Sequence, residues 1–361
     1  MTPAIRLEVL PARQGDCLLV ECPSHDGGRT WRMLVDGGPV DTWPRLEARL
    51  NRFPTDDNRI DVAVVTHIDA DHIGGFLPFA NSKFAHEQVG DYWFNGRVHL
   101  PGSGVTRSVA QGESLTADLR GDTNNVVLPW NRAFCGLPID TGEEAGFVEV
   151  QTANGPRITV LSPTTKRLAI LGAKWREAVD AATRGPTRAA EPDVLQPLSD
   201  LEAIASSKSV GDSSAPNGSS IALLIEHRGA SVVLAGDGFG TVIGAALLGV
   251  AQSRGLDELA VDAFKLPHHG SKGNVIAPML AVAPARHYLV STNGDIFHHP
   301  DDVAIARTVV SARQGATLWF NYRTPRTARW TDPKLTAQFG YAARYPDEPA
   351  KGIILELPAR Q

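Results

Sequence analysis

Four side chains that can bind a metal ion lie within six consecutive residues of this chain: His67, Asp69, Asp71 and His72. They follow a short apolar run, residues 61–65, and precede a predicted helix, so they occupy the loop between a buried strand and a helix. Side chains at alternate positions of an extended segment point the same way, which favours a common direction for His67, Asp69 and Asp71. One acid would be enough to cap the helix, whereas two acids and two histidines favour a metal site.

The elements that must hold these residues alternate between strands and helices. Short runs rich in branched residues predict strands in the first 40 residues and hairpins at 147–161 and 219–235. Beyond residue 236 the pattern predicts helices at 239–253, 275–282 and 301–312, between strands at 263–266, 287–290 and 317–322, with a last strand at 352–357. Strands and helices mixed in this way indicate an α/β protein with two sheets sandwiched between helices.

One segment departs from this pattern. Residues 165–183 predict a helix, but residues 184–216 hold four prolines and many Ala, Ser and Asp, with little apolar periodicity. We expect a single domain over residues 1–361 that carries an insertion or lid at 165–216, rather than a domain boundary there.

Composition excludes several classes of protein. The chain has 361 residues, 42% hydrophobic and 21% charged, which excludes a disordered chain, a coiled coil and a collagen-like repeat. Its formal net charge of −5 is not that of a generally basic nucleic-acid coat. Cys17, Cys22 and Cys135 form no even framework and are interpreted as reduced, buried side chains. Without a signal peptide or a membrane-length apolar stretch, we expect a cytoplasmic protein with no membrane partner.

Residues 66–75, Thr-His-Ile-Asp-Ala-Asp-His-Ile-Gly-Gly, resemble the His-x-His-x-Asp-His signature of metallo-β-lactamase-fold hydrolases. They depart from it at Asp69, which stands where that family usually has its second histidine. This variant is similar to the nuclease domain of the DNA-uptake protein ComEC and its stand-alone soluble relatives. The resemblance extends to motifs at 14–16, 34–38, 217–220, 234–237, 265–271 and 298–300.

This resemblance implies a four-layer αββα sandwich that holds two divalent metal ions. It places two donors on a first ion, His67 and Asp69, and two on a second ion, Asp71 and His72. Asp237 would bridge the two ions. His268 would complete the second set, with His269 as the alternative, because sequence does not orient two adjacent loop residues.

The first ion would lack an imidazole that the family usually supplies. The position of that histidine, upstream of the bridging aspartate, falls near Asn217 in this chain. Carboxylate and amide oxygens favour harder ions. We therefore expect Mn²⁺ or Mg²⁺ at the first position, and Zn²⁺ or Mn²⁺ at the second.

Two such ions suit the hydrolysis of a phosphodiester by a metal-activated water. Asp69 or Asp71 would position that water, while His269 and His299 are candidates for contacting the phosphate or protonating the leaving oxygen. Further substrate contacts are expected from three polar side chains near the motifs: Asn217, Ser271 and Lys272.

A basic and aromatic stretch offers a possible surface for nucleic acid. Between Asp302 and Asp332 the chain has five arginines and no acid, and aromatic residues are interleaved with them. Arginine and aromatic side chains bind phosphates and stack on bases. The candidate contacts are Arg323, Arg326 and Arg329. The alternative is a strand with core aromatics beside solvated arginines.

Three functions remain open at this point. The first is a nuclease acting on DNA, for which the sequence leaves open both a role in DNA repair or phage defence and a partner protein. The second is a small-molecule hydrolase for a phosphoester, a cyclic nucleotide or a lactone on the same metal core, favoured by a closed pocket under residues 184–216. The third is a non-catalytic, metal-stabilised binding or sensor subunit, which a depleted first site would permit.

Overall fold

Fourteen strands and fourteen helices are present in the computed structural model, which describes residues 2–24, 27–101, 111–123, 125–184, 195 and 197–360. The strands of the described chain are β1 (Ile5–Val9), β2 (Leu18–Cys22), β3 (Trp31–Val35), β4 (Ile60–Val64), β5 (Val89–Trp93), β6 (Val148–Gln151), β7 (Arg157–Ser162), β8 (Ala222–His227), β9 (Ala230–Leu234), β10 (Val261–Lys265), β11 (Ala285–Val290), β12 (Thr317–Phe320), β13 (Ala342–Arg344) and β14 (Ile353–Leu357). The helices are α1 (Trp43–Leu50), α2 (Ala70–Ile73), α3 (Phe76–Ala80), α4 (Lys83–Gln88), α5 (Gln111–Arg120), α6 (Thr165–Ala173), α7 (Trp175–Arg184), α8 (Leu201–Ser206), α9 (Ala215–Gly218), α10 (Gly240–Ser253), α11 (Ala277–Val282), α12 (Asp302–Ser311), α13 (Pro325–Ala328) and α14 (Pro333–Phe339).

The strands form two mixed sheets. The first has the order β14-β1-β2-β3-β4-β5, and the second has the order β13-β12-β11-β10-β9-β8-β7-β6. In the first sheet, β3, β4 and β5 run parallel. In the second, β9 to β13 run parallel, whereas the pairs β6–β7, β7–β8 and β8–β9 are antiparallel.

Alternation along the strands builds the layers. Val62 and Val64 of β4 pack in the core between the sheets, while Ala63 packs against helices on the other side. In β9, Val232 lies between the sheets and Val233 faces the opposite helix layer. Each buried Val or Leu contributes about 1.5–3 kcal/mol. With α1, α3 and α5 over the first sheet and α10 to α12 over the second, the predicted αββα sandwich is confirmed.

The carboxyl ends of the central parallel strands meet at one edge of the sandwich. β3 and β4 of the first sheet end there beside β9 and β10 of the second. The two sheets are linked at this edge, where the Ile221 amide donates a hydrogen bond of 3.0 Å to the Thr66 carbonyl. Loops that follow such strand ends are the usual position of a binding site in α/β sheets.

Several predicted elements are confirmed and one is corrected. The hairpins at 147–161 and 219–235 are β6–β7 and β8–β9. The single helix predicted at 165–183 is two helices, because the backbone of Lys174 leaves the helical region with φ −104° and ψ 9°. Part of the predicted insertion, residues 185–194 and 196, lies outside the described residues. The rest of the stretch, from 197 on, contains α8 and α9, which its composition did not predict.

The predicted burial of the cysteines holds for two of the three. Cys17 and Cys22 are buried, whereas Cys135 is exposed, since it lies in an irregular turn with φ 55°. Within the described ranges, no helix combines the length and the apolar character needed to cross a membrane.

Candidate metal centre

The loop after β4 is held by an aspartate from the neighbouring strand. Asp36 follows β3, is fully buried and accepts hydrogen bonds of 2.8 Å from both the amide and the hydroxyl of Thr66. Its second oxygen also lies 2.8 Å from Nδ1 of His72. Because Asp36 ties the start and the end of the 66–72 loop to one strand, the direction of His72 is set by the first sheet.

The other donors stand on two turns of the second sheet. Asp237 follows β9, and its amide donates a hydrogen bond of 3.1 Å to the Ser220 hydroxyl. The His268–His269 pair follows β10, and the His268 amide donates a hydrogen bond of 3.0 Å to the Gly236 carbonyl. Both histidines have left-handed backbones, with φ 47° and 54°, and their rings are inclined by 74°. Consecutive side chains therefore turn to different sides of Asp237.

The two carboxylate oxygens of Asp237 face different imidazoles. Oδ1 lies 3.4 Å from Nε2 of His72 and 3.5 Å from Nε2 of His269. Oδ2 lies 3.9 Å from Nε2 of His67 and 3.7 Å from Nε2 of His268. This division defines two parts of the centre: an inner half of Asp71, His72 and His269 around Oδ1, and an outer half of His67, Asp69 and His268 around Oδ2.

The inner half is buried and supported by further polar groups. His72 and His269 expose 0% and 1% of their surfaces, and their Nε2 atoms are 3.3 Å apart. Asp71 Oδ2 is 3.7 Å from Nε2 of His269. On its far side, His269 contacts the Ser291 carbonyl at 2.9 Å and Asp16 at 3.5 Å. The structure thus places His269, and not His268, beside Asp71 and His72.

The outer half is more open. The side chain of Asp69 is 34% exposed and that of His268 is 22% exposed, while His67 is buried. Asp69 Oδ2 lies 3.6 Å from Nε2 of His67. Nδ1 of His268 is contacted by Asp212 Oδ2 at 3.2 Å and by Asn274 Oδ1 at 3.1 Å. Asp212 belongs to the segment that precedes α9 and lies shortly before the 217–220 motif.

Charges of opposite sign shift the pKa values of these groups. Burial would lower the pKa of His72, but the carboxylates of Asp237 and Asp36 raise it well above the ordinary histidine value. Burial would raise the pKa of Asp237, yet the surrounding imidazoles hold it well below the ordinary aspartate value. For His268, Asp237 and Asp212 outweigh burial and raise the pKa to about 9. The carboxylates therefore favour positive charge at this centre.

These side chains fit a divalent metal ion. Donor atoms of His67, His72 and Asp237, and also of Asp71, His72 and His269, lie within 4.8 Å of one another. Nε2 of His67 and Oδ1 of Asp237 are buried and have no hydrogen-bond partner among the described residues. Tetrahedral zinc with bonds of about 2.1 Å needs donors about 3.4 Å apart, close to the 3.3 and 3.4 Å separations around His72. His268 belongs to none of these compact groups.

Other predicted contact residues lie behind or beside the outer half. The side-chain Nδ2 of Asn217 donates a hydrogen bond of 2.7 Å to Asp212 and lies 3.3 Å from Nδ1 of His268. The ring of His299 is 5.3 Å from that of His268, and burial lowers the pKa of His299. Ser271 is buried and accepts a hydrogen bond from the Gly273 amide. Lys272 is exposed, with Nζ 3.8 Å from Asp301.

Most of the basic stretch has a structural role. Arg307 is buried and donates hydrogen bonds to four backbone carbonyls, those of residues 205, 207, 272 and 275. Arg313 pairs with Glu258, and Arg329 with Asp302 at 2.8 Å. Arg323 and Arg326 instead line a cavity of about 330 Å³ together with His298. The aromatic residues Phe320 and Trp330 are fully buried, as the alternative interpretation of this stretch expects.

Sequence reasoning missed the side chains that support the histidines from behind. Asp212 lies in a stretch without periodicity, so no local signal pointed to it. Asp16 and Lys265 form a buried ion pair beneath His269, and both occur in motifs that the resemblance had marked without a role. Asn274, three residues after the 265–271 motif, contacts both His268 and Asp212.

Comparison with known proteins supports the fold. Residues 10–123 match the family model of the metallo-beta-lactamase superfamily. A search of curated proteins found no match.

Solved structures similar to this chain include Zn(2+)-bound PqqB from Methylobacterium extorquens. The two sequences are 13% identical, and the alignment covers 98% of this chain and 100% of that one with a TM-score of 0.41. The metallo-beta-lactamase MIM-1 from Novosphingobium pentaromativorans has 13% identity, coverage of 85% and 87%, and a TM-score of 0.31. MEM-A1, a subclass B3 metallo-beta-lactamase isolated from a soil metagenome library, has 12% identity, coverage of 74% and 80%, and a TM-score of 0.28.

At such identities and scores these likenesses say nothing about a substrate. The matched residues 10–123 contain β2 to β5 and the whole 66–75 loop. Together with two facing sheets between helix layers, the match identifies the fold of this chain as that of the metallo-beta-lactamase superfamily.

Proposed function

We propose that this chain is a metal-dependent phosphodiesterase that hydrolyses DNA with two divalent ions. The observation that carries the proposal is the division around Asp237, whose two oxygens each lie 3.4–3.9 Å from a different pair of imidazole nitrogens. A carboxylate in that position can bridge two ions. One aspartate on each side, Asp69 and Asp71, adds an oxygen donor to each half.

The residues of the chain have separate tasks in this proposal. When bound, the ions supply an activated water and charge stabilisation at a phosphoryl group. Asp71, His72 and His269 would hold the inner ion, and Asp36 keeps Nε2 of His72 directed into the centre through its contact with Nδ1. Asp69, the most exposed of the donors, is placed to orient a water on the solvent side.

The basic cavity beside the centre supports a polyanionic substrate. His298, Arg323 and Arg326 line it together with one carboxylate, that of Asp295, and His299, the neighbour of His298, lies against His268 of the outer half. Positive groups at the rim of a carboxylate-rich centre attract a phosphate backbone and set its direction. Arg329 does not take part in this proposal because its guanidinium is paired with Asp302.

A small phosphoester is the second candidate substrate. The segment that carries Asp212 contacts His268 directly, and its Ser209 hydroxyl donates a hydrogen bond of 2.9 Å to the Lys272 carbonyl. A segment held so close to the outer half narrows the approach to the centre. This observation favours a short substrate over a duplex. A partner protein of a repair or phage-defence system stays a prediction.

Cleavage assays separate these substrates. The purified chain is given single-stranded DNA, double-stranded DNA or bis(p-nitrophenyl) phosphate, each with Mn²⁺, Mg²⁺ or Zn²⁺. Asp71→Ala serves as the blank, and Asp122→Ala, which changes an exposed aspartate outside the centre, is the matched control. We expect metal-dependent DNA cleavage by the wild type and by Asp122→Ala only. Cleavage of the small ester alone would favour the second candidate, and no cleavage with any ion would contradict both.

A further inference from the structure

A basic cavity, here named the α1 cavity, lies between α1 and the edge strand β14, outside the metal centre. It has a volume of about 580 Å³ and is lined by five cationic side chains and two carboxylates. The cations are Arg6, Arg45, Arg49, Arg52 and Lys351. Resting on the function proposed above, we propose that the α1 cavity binds the backbone of a single DNA strand whose scissile phosphate lies at the metal centre.

Some of the charges around the α1 cavity offset one another. Arg6 contacts the carboxylates of Glu8 and Glu21. Arg49 contacts the same two carboxylates at 2.7 and 3.0 Å. Glu356 adds a third carboxylate, which is exposed and lies 3.6 Å from Arg6. This group of side chains therefore supplies no spare cation for a ligand.

Two guanidinium groups of the α1 cavity are left over. Arg45 lies on α1 and donates a hydrogen bond to the Pro11 carbonyl, and Arg52 lies in the turn that follows α1. Both are exposed, and neither guanidinium pairs with a carboxylate of the described chain. Lys351, by contrast, is paired with Glu348 at 2.7 Å. On a chain with a formal net charge of −5, two unpaired cations in one cavity form a local surface that attracts an anion.

One loop connects the α1 cavity to the metal centre. Leu10 lines the cavity, and residues 10–16 then lead from the end of β1 towards the centre. At the far end of this loop Gly15 is packed against Asp71 of the inner half. A Cβ atom at position 15 would lie 1.8 Å from the Asp71 carbonyl oxygen. A DNA strand that follows the loop therefore passes from the metal centre to the α1 cavity.

The same loop borders the cavity that His298 lines. The amide of Asn293, which also lines that cavity, donates a hydrogen bond of 2.9 Å to the Arg13 carbonyl. The Arg13 amide donates a hydrogen bond of 2.7 Å to the Tyr322 hydroxyl. The Arg13 guanidinium is exposed and pairs with the exposed Asp41. Exposed ion pairs are weak, so Arg13 can exchange Asp41 for a phosphate between the two basic cavities.

The size of the two cavities favours a single strand over a duplex. Their volumes are about 580 and 330 Å³. Cavities of about 300–1,000 Å³ hold groups of drug-like size, which is the scale of a nucleotide. A duplex is wide enough to admit an α-helix in its major groove and would rest only on the rims of such cavities. A backbone that reaches both cavities has several nucleotides, which narrows the substrate class to single-stranded polynucleotides.

Binding of single strands of different lengths tests the inference. Arg45→Gln combined with Arg52→Gln is introduced into Asp71→Ala protein, so that DNA is bound but not cleaved. Fluorescence anisotropy with Mn²⁺ present compares a labelled strand of about four nucleotides, one of about 20 and a duplex of the longer strand. Arg286→Gln combined with Arg344→Gln is the matched control, because it removes the same charge from exposed arginines of the second sheet, outside both cavities.

We expect the double variant to bind the long strand with a smaller salt dependence. The slope of log affinity against log salt should fall by about 0.7 for each lost phosphate contact, or about 1.4 for two. Between about 50 and 200 mM salt, the Asp71→Ala parent should therefore lose about 7-fold more affinity than the double variant. The short strand should bind both equally, because it does not extend from the metal centre to the α1 cavity. The control should match the parent with both strands.

Equal slopes for the long strand in the double variant and the parent would overturn the inference, and DNA cleavage by the wild type would then leave the proposed function standing. Equal loss of affinity for short and long strands would also overturn it, because the two arginines would then act at the centre. Tighter binding of the duplex than of the long strand would overturn the choice of a single strand.

Two further outcomes separate this inference from the proposed function. A wild type that cleaves no DNA but shows the expected slopes would contradict the proposed hydrolysis and leave the binding surface standing. A parent that binds none of the DNA would overturn both. If the double variant does not fold by circular dichroism, Arg52→Gln alone decides the question, with about half the change in slope, near 0.7.

Discussion

The inner and outer halves of the centre use the same kinds of side chain but are supported in different ways. In the inner half, His72 is backed by Asp36, which follows β3. His269 is backed by Asp16, which lies between β1 and β2. In the outer half, His268 is backed by Asp212, which lies in the segment between α8 and α9, outside both sheets. The inner supports are fully buried, whereas the outer half is partly open to solvent.

From this difference we expect folding and metal binding to be coupled differently in the two halves. The carboxylates behind the inner histidines lie in loops of the first sheet and are fully buried, so the inner half is ordered once the two sheets have packed together. The outer half also needs residues 207–214 to be attached. An ion in the inner half would therefore meet a preformed set of donors, whereas an ion in the outer half would also depend on a separate contact.

The largest effect is expected from the residue that both halves share. Asp237→Ala removes the only carboxylate whose oxygens face both halves among the described residues, and leaves the imidazoles without it. We expect loss of both ions and hydrolysis at the background level, measured by metal content and by DNA cleavage. Asp262→Ala, which removes another buried aspartate of the second sheet, is the control. Retention of one tightly bound ion would show that the halves do not share a donor.

The next test compares two aspartates on one loop. Asp71→Ala removes an oxygen donor of the inner half and should abolish hydrolysis with loss of the inner ion. Asp69→Ala removes the more exposed donor of the outer half and should weaken ion binding there while the inner ion stays bound. Metal content after dialysis against a weak chelator distinguishes the two. Equal loss of both ions in both variants would contradict the division.

A third test separates support of the fold from support of the metal. Asp36→Ala leaves the Thr66 amide and hydroxyl and Nδ1 of His72 without their buried acceptor, which should lower the free energy of unfolding by about 1–3 kcal/mol. Asp212→Ala should lower it by less, about 0.5–1.5 kcal/mol, since the side-chain amide of Asn274 keeps the carbonyls of Asp237 and Gly238 as acceptors.

Urea unfolding of the metal-free variants measures both values. Metal-free protein is needed because a bound ion would itself stabilise the folded state. A loss for Asp212→Ala as large as that for Asp36→Ala would mean that both halves are equally part of the fold.

How far the sequence predicted the centre also differs between the halves. The 66–72 loop could be found because its four donors lie within six residues and follow a strand with strong apolar patterning. The choice between His268 and His269 could not, because it depends on two successive left-handed residues that turn the rings apart. Asp212 could not be found either, since its contact with His268 arises only when α8 packs on α12 and Arg307 holds the segment that follows α8.

The same limit applies to the basic stretch from 302 to 332. A run of arginines without acids predicts a surface for phosphate, but spacing does not reveal which guanidinium groups turn inward. Arg307 lies on the buried face of α12 and binds backbone carbonyls, and Arg329 reaches Asp302. Only packing divides the stretch into arginines that hold the fold and arginines that line the cavity.

The smallest expected effect comes from the rim of the cavity. Arg323→Gln combined with Arg326→Gln should weaken DNA binding a few-fold and reduce the slope of log affinity against log salt by about 0.7–0.9 for each phosphate that the arginines no longer neutralise. Arg329→Gln, the matched control, should leave the slope unchanged because that guanidinium is already paired with Asp302.

Binding is measured with Asp71→Ala protein, so that the DNA is not cleaved during the titration. Neither the Arg323→Gln/Arg326→Gln pair nor Arg329→Gln changes a metal donor, so each variant should bind as much metal as the Asp71→Ala protein that carries it. An unaltered slope in the double variant would place the DNA away from this cavity. A reduced slope in Arg329→Gln would mean that the pair with Asp302 opens when DNA binds, and that the rim of the outer half is larger than the cavity that His298 lines.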